Sequence, residues 1–411
     1  MPTTLVLLDR ALRLDDNPTL NAARHTGQPL IVLVDTPARP PWLARHLPMN
    51  IASDQPALAR TRAWQALAAD LARFNVPVWQ MGLASAEQWQ ALIEQSDANQ
   101  IFAPAHADPD QQRLLASLSI ASLCCGDNHL LSRQQHQTLP AKLLGRFTPF
   151  YHAVKHWPTQ SLEASPQHWV QAAMGPADAA TLIDAETNVL SSVKLPVTPE
   201  ETEEWLERYL WQQQAVLHYK STRNDLMGDY SSSRLSAALA MGAFSVRRLN
   251  EHLQRFEHSM QSNASTAALR YEWYWREYFQ WLGGRLGDTL YQAPVPVLTE
   301  EQQDRLHRWC KAQSGVAIVD AAMTELQQTG FLSNRARQLA ASCLVHDLAV
   351  PWQYGAAWFE HNLIDFDPNS NTGNWAYIAG GNAVSNKPHA FDLEWQTQQH
   401  DPRGLYRATW L

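Results

Sequence analysis

Residues 331–377 hold the densest set of groups able to do chemistry. Asn334, Arg337 and Gln338 lie three and four apart, so a helix points their side chains into one neighbourhood. Asp365 and Asp367 follow a second apolar run, with Asn371 and the aromatic pair Trp375 and Tyr377 close behind. The apolar spacing predicts a helix over 331–349, stopped by Pro351, and a second over 352–364. Asp365-Phe366-Asp367-Pro368 should break that helix, and the Asn- and Gly-rich residues 369–374 should form a turn. Carboxylates beside an Arg and an Asn in apolar surroundings are costly unless paired. The patch reads as a structural Arg–Asp bridge or as a ligand site.

Two further constellations precede it. Tyr219-Lys220-x-x-Arg223 is followed by Ser231-Ser232-Ser233-Arg234-Leu235-Ser236. Hydroxyls and an Arg at a helix start can hold an anion, or can simply cap the helix. In Glu272-Trp273-Tyr274-Trp275-Arg276-Glu277, residues Glu272 and Trp275 share a face, while Arg276 is turned about 100° from Trp275 and can face elsewhere. Aromatic density at this spacing ordinarily marks core.

The elements that must position these groups fall into two parts. Over residues 1–125, strand-like runs at 4–8, 30–34, 76–81, 101–103 and 119–123 alternate with helical stretches at 19–25, 58–74, 86–95 and 109–118. This alternation predicts an α/β domain with a doubly wound parallel sheet. No GxGxxG follows the first strand, so a dehydrogenase lacks its phosphate cradle. Residues 126–200 are rich in Pro, Ser, Thr and Gln and read as a connector. From 201 to 411 the long segments read as helix, at 204–219, 235–241, 246–256, 267–282 and 316–329, giving an all-α second domain.

A length of 411 residues with 45% hydrophobic content supports a core in each domain. The net charge of -8 means that any nucleic-acid contact must come from a local basic patch. The four Cys form no CxxC, which argues against a disulfide framework or zinc knuckle and fits a reduced cytoplasm. No charged-then-apolar leader opens the sequence and no apolar run approaches membrane length, so a cytoplasmic protein with no membrane partner is expected.

The run Asn334-Arg335-x-Arg337-Gln338, then Trp352, Asp365-x-Asp367, Asn371 and Gly373-Asn374-Trp375, closely resembles the cryptochrome/DNA photolyase family and looks most like its DASH branch. Asp9-Arg10-x-Leu12-Arg13-x-x-Asp16-Asn17 resembles the family's N-terminal signature, and Phe147-Thr148-Pro149-Phe150 a connector element of it. Read without the resemblance, residues 9–18 are a turn with solvated charges. The absence of Cys after Cys343 argues against the iron–sulfur branch.

The resemblance implies an FAD-binding helical domain. Tyr219, Ser232, Ser233 and Ser236 would clamp the diphosphate, and Arg276, Asn334, Arg337, Asp365, Asp367 and Asn371 would line the flavin. Glu272 would hydrogen-bond a pyrimidine lesion and Trp275 would stack on it. Trp375 and Trp352 would be the inner members of an electron-hopping chain whose outer position holds Thr299, leaving Tyr291, Tyr354 or Trp358 as exits. Arg223, Arg335 and Lys387 are the candidates for DNA contact. The implied function is light-driven repair of cyclobutane pyrimidine dimers on single-stranded or looped DNA by a monomer. The alternative is a blue-light sensor without repair activity. A folate-type antenna on the first domain is part of the family pattern, with no residue to assign to it here.

Overall fold

Five short apolar runs build a fully parallel sheet in the order β3-β2-β1-β4-β5. They are β1 (Thr3–Leu7), β2 (Leu30–Asp35), β3 (Val78–Met81), β4 (Ala98–Pro104) and β5 (Ala121–Cys125). The computed structural model describes residues 1–35, 47, 53–81, 86–105, 109–126, 128–164, 169–170, 195–287, 294–381, 384–385 and 387–411. The chain starts at the centre of the sheet, winds out to β3, and returns to the other side of β1 as β4. Helices cover both faces. Leu20, Ala59, Trp64 and Leu67 pack with Val6 and Val32 on one side, and Trp89, Leu92 and Leu115 pack with Leu5 and Ile31 on the other. The doubly wound α/β domain expected from the alternation is therefore present, with strand ends shifted by a few residues.

The loop after β1 leaves the sheet at the point where the winding reverses, and of the solvated charges expected at residues 9–18 only Asp15 is exposed. Arg13, Asp16 and Asn17 are buried. The Asp16 carboxylate accepts from Arg247 Nε at 2.8 Å and from the Ser245 hydroxyl, while Arg13 donates Nη1 to the Gly242 carbonyl at 2.9 Å. Asp16 and Arg13 thus face the helical domain, which supplies side-chain donors to the first and a backbone acceptor to the second. Gly242 has φ +65°, and a Cβ there would lie 1.9 Å from the Arg10 carbonyl oxygen, so the two domains meet backbone to backbone.

Beyond Pro199 the described elements are helical. The central one is Ala264–Leu286, capped by Asn263, whose side chain accepts from Ser265 and Thr266 N–H groups. Its aromatic residues divide between two cores. Leu269 and Trp273 join one that includes Tyr209, Tyr219 and Leu253, and Tyr274, Tyr278 and Trp281 join another with Leu131, Phe147 and Phe150. Residues 130–154 of the expected connector thus pack directly on this helix.

Three segments differ from expectation. The helix expected over 204–219 ends at Leu206, widens into a π-turn at Glu207–Gln212, and resumes as a 3-10 turn at Ala215–His218 after Gln214 takes a left-handed conformation. The helix expected over 331–349 is confined to Asn334–Ser342, because Gly330 ends the preceding helix at φ +67° and Ser333 caps the new one. A π-turn at Cys343–Asp347 follows. Residues 369–374 are not a turn but the first half of the helix Pro368–Ala379. Asp367 caps that helix through Ser370 N–H and Pro368 starts it, while burial of Asn369, Asn371 and Thr372 outweighs their low helix propensity.

The C-terminal helix Leu405–Trp410 docks on Ala317–Thr329 through Tyr406, whose hydroxyl donates to the buried Glu325 carboxylate. Burial pushes the Glu325 carboxyl up to about 7, against the pull of Tyr406, Arg234 and Arg337. Because the folded value lies above the unfolded one, the protonated carboxyl contributes stability that is complete below about 4.5 and lost as pH rises through about 7; the whole window is worth roughly 3 kcal/mol. Glu325→Gln should raise the denaturation midpoint at pH 8 and flatten the fall between pH 5 and 8; an unchanged pH profile would refute this. Arg247→Ala, which leaves Asp16 charged and buried at the domain junction, should lower stability by about 3–5 kcal/mol in urea titrations.

Candidate functional site

One cleft of about 510 Å³ opens in the helical domain, within the range of cofactor and ligand sites. Helical periodicity decides who faces it. On Ala264–Leu286, Glu272, Trp275, Arg276 and Phe279 line the cleft; on Asn334–Ser342, Asn334, Arg335, Arg337, Gln338 and Ala341 do so. Pro368–Ala379 adds Ser370, Asn371, Asn374, Trp375 and Tyr377, and Asp365 and Asp367 lie just before it. Tyr219, Ser233 and Ser236 close one side. Ser232 sits outside this lining, as do Trp352 and Lys387. Of the seventeen site residues read from sequence, the structure therefore gathers fourteen that the sequence scatters over 219–375.

The charged floor is paired. Arg337 donates Nη2 to Asp365 Oδ2 at 2.7 Å and Nε to the Leu332 carbonyl at 3.0 Å. Asp367 accepts from Gln280 Nε2 and from Ser370 N–H. Burial alone would push Asp367 up, but Arg276, Arg10 and the Ser370 donors outweigh it and hold the carboxyl below its usual range. Arg10 reaches this site from the α/β domain and also donates to the Phe366 carbonyl at 3.0 Å, a contribution the sequence does not advertise. Glu272 is pushed up by burial, with Arg223 opposing, and the two form a direct ion pair. Arg223 and Arg335, expected as DNA contacts, thus sit in the cleft wall. Arg335 donates Nη2 to Asn224 at 3.1 Å and Nη1 to Gln396 at 3.3 Å and lies over the Phe391 ring. Lys387 is exposed.

Two buried acceptors in the lining have no hydrogen-bond partner, Asp365 Oδ1 and Gln338 Oε1. Leaving a buried acceptor unmade costs about 1–3 kcal/mol. A ligand carrying hydroxyls or ring N–H donors beside an anionic group would satisfy both, with hydroxyls and Arg side chains available for the anion. An FAD molecule has this combination, so the residues present fit it.

The aromatic groups form two arrangements. Trp275 stacks on Phe147 at 3.7 Å and 11°, with Tyr377 edge-on at 5.9 Å. This covers one face of Trp275, and the sequence assigned Phe147 no such role. Trp375 meets Phe359 and Trp309 edge-on at 5.0 and 6.2 Å. Trp352 is half-buried and packs against the two clusters that contain Trp375 and Tyr278. Thr299 caps the helix Glu300–Cys310 with a reciprocal Gln302 contact, a role a Trp could not fill. Among the suggested exits, Trp358 is fully buried, Tyr354 is 8% exposed with its hydroxyl on the Pro296 carbonyl, and Tyr291 lies outside the described residues.

Asn371 donates Nδ2 to the Ala356 carbonyl at 3.0 Å from a buried position. Asn371→Asp replaces that donor with an acceptor, and only a protonated carboxyl restores the bond. The variant should lose about 1–3 kcal/mol of stability, less at pH 5 than at pH 8 because the folded carboxyl is held protonated above its unfolded value. Urea midpoints at the two pH values check this, equal losses at both counting against it.

Residues 4–167 match the family described as DNA photolyase, and residues 269–411 match the FAD binding domain of DNA photolyase. Proteins named Cryptochrome DASH are similar in sequence. That of Gloeobacter violaceus is 40% identical over 210 residues, 50% of this chain and 42% of that protein. The chloroplastic/mitochondrial protein of Arabidopsis thaliana is 40% identical over 207 residues, 49% and 36% of the two lengths. These matches take in less than half the length of those relatives. The crystal structure of a Synechocystis cryptochrome superposes with a TM-score of 0.87 at 26% identity, covering 100% of this chain and 89% of that one. A class III photolyase from Agrobacterium tumefaciens shares the fold at a TM-score of 0.76. The sheet, the helical domain and the matches to both of them agree, and the chain belongs to the cryptochrome/DNA photolyase family.

Proposed function

We propose that this protein binds FAD in the cleft and repairs cyclobutane pyrimidine dimers in light, acting on single-stranded or looped DNA. The observation that supports this most directly is that one cleft is lined both by Arg337, Asp365 and Asn371 and by Glu272 and Trp275. Reduced FAD, when bound, supplies the light-excited electron that opens the cyclobutane ring and that returns once the two pyrimidines separate. Arg276, Asn334, Arg337, Asp365, Asp367 and Asn371 would hold and orient the flavin, while Ser233, Ser236 and Tyr219 would serve its diphosphate. Trp275, backed by Phe147, offers its free face to an extruded dimer, which pairs poorly and costs little to flip out. Glu272 hydrogen-bonds the pyrimidine edge, and for this the Arg223 side chain must leave it. Once displaced, Arg223 is placed to meet a phosphate beside the lesion. Arg335 and Lys387 add two further cations, a small set that makes binding weak and salt-dependent.

The same ion pair favours a second reading. In the free protein Arg223 occupies the carboxylate that a lesion would need, and Thr299 caps a helix where the family pattern places an outer Trp. A blue-light sensor without repair activity fits both features.

The deciding experiment uses purified protein with its flavin reduced chemically, a dimer-containing single-stranded oligonucleotide and near-UV or blue light, following recovery of thymine absorbance. Recovery should require light and fall about 10- to 100-fold in Glu272→Ala, the loss expected for one hydrogen bond to a charged group. With FAD confirmed bound, no recovery in the unmodified protein transfers the reading to the sensor.

A further inference from the structure

The junction between residues 128–138 and the Ala264–Leu286 helix contains three ligating side chains that the cleft does not use. Glu277 is fully buried, and its two oxygens accept from the Leu130 and Leu131 N–H groups, each at 3.0 Å. His136 Nε2 lies 2.9 Å from Glu277 Oε1, and His129 Nδ1 lies 3.8 Å from Oε2. The two imidazoles meet edge to face at 5.2 Å. The three donor atoms all fall within 4.8 Å of one another, and among the described residues this is the one such cluster of three.

We propose that His129, His136 and Glu277 form a binding site for a divalent transition-metal ion of the zinc class. The donor set is the first reason. Two imidazole nitrogens and one carboxylate oxygen suit Zn²⁺, Co²⁺, Ni²⁺ or Cu²⁺ and disfavour Mg²⁺ and Ca²⁺, which take oxygen ligands. Preorganisation is the second. The paired backbone donors fix the carboxylate plane, with His136 Nε2 on one oxygen and His129 Nδ1 3.8 Å from the other, a supporting arrangement of the kind that orients metal ligands elsewhere. Access is the third, since the histidine side chains keep 16% and 13% of their surface while Glu277 keeps none, so an ion can enter from the histidine side and complete its shell with water.

Closure needs a movement that side-chain rotation of the histidines can supply. With metal–ligand bonds of about 2.0–2.2 Å, donor atoms around a tetrahedral ion sit roughly 3.3–3.5 Å apart. His136 is already closer than that to Glu277, and the widest donor pair, at up to 4.8 Å, must close by somewhat more than an ångström. On binding, His136 and His129 each present a neutral nitrogen lone pair, so a proton that His136 Nε2 shares with Glu277 leaves that nitrogen. Without an ion, that proton holds the same contact.

The site would join the connector to the helix that carries Glu272, Trp275 and Arg276. Arg276 already donates Nη1 to the Asn128 carbonyl at 2.6 Å, and Trp281 donates Nε1 to the His136 carbonyl at 3.2 Å, so an ion here would stiffen an existing joint one turn from the cleft residues.

The test uses the full chain stripped with a chelator and dialysed, then titrated with CoCl₂ and ZnCl₂ near pH 7.5. One equivalent of Co²⁺ should produce visible d–d bands that Zn²⁺ abolishes, and Zn²⁺ at about 100-fold above its dissociation constant should raise Tm by several degrees. His129→Ala and His136→Gln should lose both effects, and because the glutamine amide keeps an N–H donor for the buried Glu277 carboxylate, the Tm of the stripped protein should stay within a few degrees. They leave Glu277 and its backbone contacts intact, so the variants remain folded. Absence of cobalt bands and of any zinc-dependent Tm shift, or bands of equal strength in both variants, overturns the proposal.

Discussion

A carboxylate taken out of water must be given hydrogen-bond donors and positive charge, and this requirement sets the joints of the molecule. Asp16 finds its partners in Ser245 and Arg247, which ties the loop after β1 to the helical domain. Glu277 finds them in Leu130, Leu131 and two histidines, which ties the connector to the central helix. Asp365 meets Arg337, and Asp367 meets Gln280 and Ser370, so the floor of the cleft is assembled from three helices. In each case the carboxylate joins segments far apart in the chain. Losing one partner would leave a charge that no neighbour can neutralise, so these contacts specify one arrangement of the elements as well as holding it.

The cleft takes its chemical character from the same constraint. Its ion pairs are arranged around the apolar ring faces of Trp275, Phe279 and Trp375, so a flat aromatic ligand meets apolar walls and a polar edge. Two acceptors in the lining remain unmade, and that deficit is the signature of a site shaped for a donor-bearing ligand. Arg223 on Glu272 is different in kind. The pair is partly exposed and can exchange partners, which gives the cleft mouth a charge that a ligand can displace.

Tight backbone approach limits how these parts can move. Gly242 lies against the Arg10 carbonyl, Gly373 has Phe279 where a Cβ would stand, and Gly355 has the Trp375 ring there. The Pro368–Ala379 helix is consequently packed against two neighbours, through its own Gly373 on one side and through Gly355 of the neighbouring helix on the other, and its low-propensity Asn and Thr side chains are held by burial. Arg10, reaching from the α/β domain to the cleft floor, makes the first domain part of the site's electrostatics.

The sequence alone determined the order of strands and helices and which side chains share a helical face, because both follow from local periodicity. It was enough to put Asn334 with Arg337, and Glu272 with Trp275, on common faces, and to expect the doubly wound sheet. It could not determine that Asp9, Arg13, Asp16 and Asn17 are buried, since a charged loop looks solvated until its partner at Arg247 is known. Nor could it show that an Asn- and Gly-rich run is helical, because the burial that holds it comes from other helices. His136 meets Glu277 across 141 positions, and Phe147 stacks on Trp275 from the connector. Local pattern carries propensity and facing; pairing between distant charges and rings is a property of the packed core, and only the tertiary structure decided it.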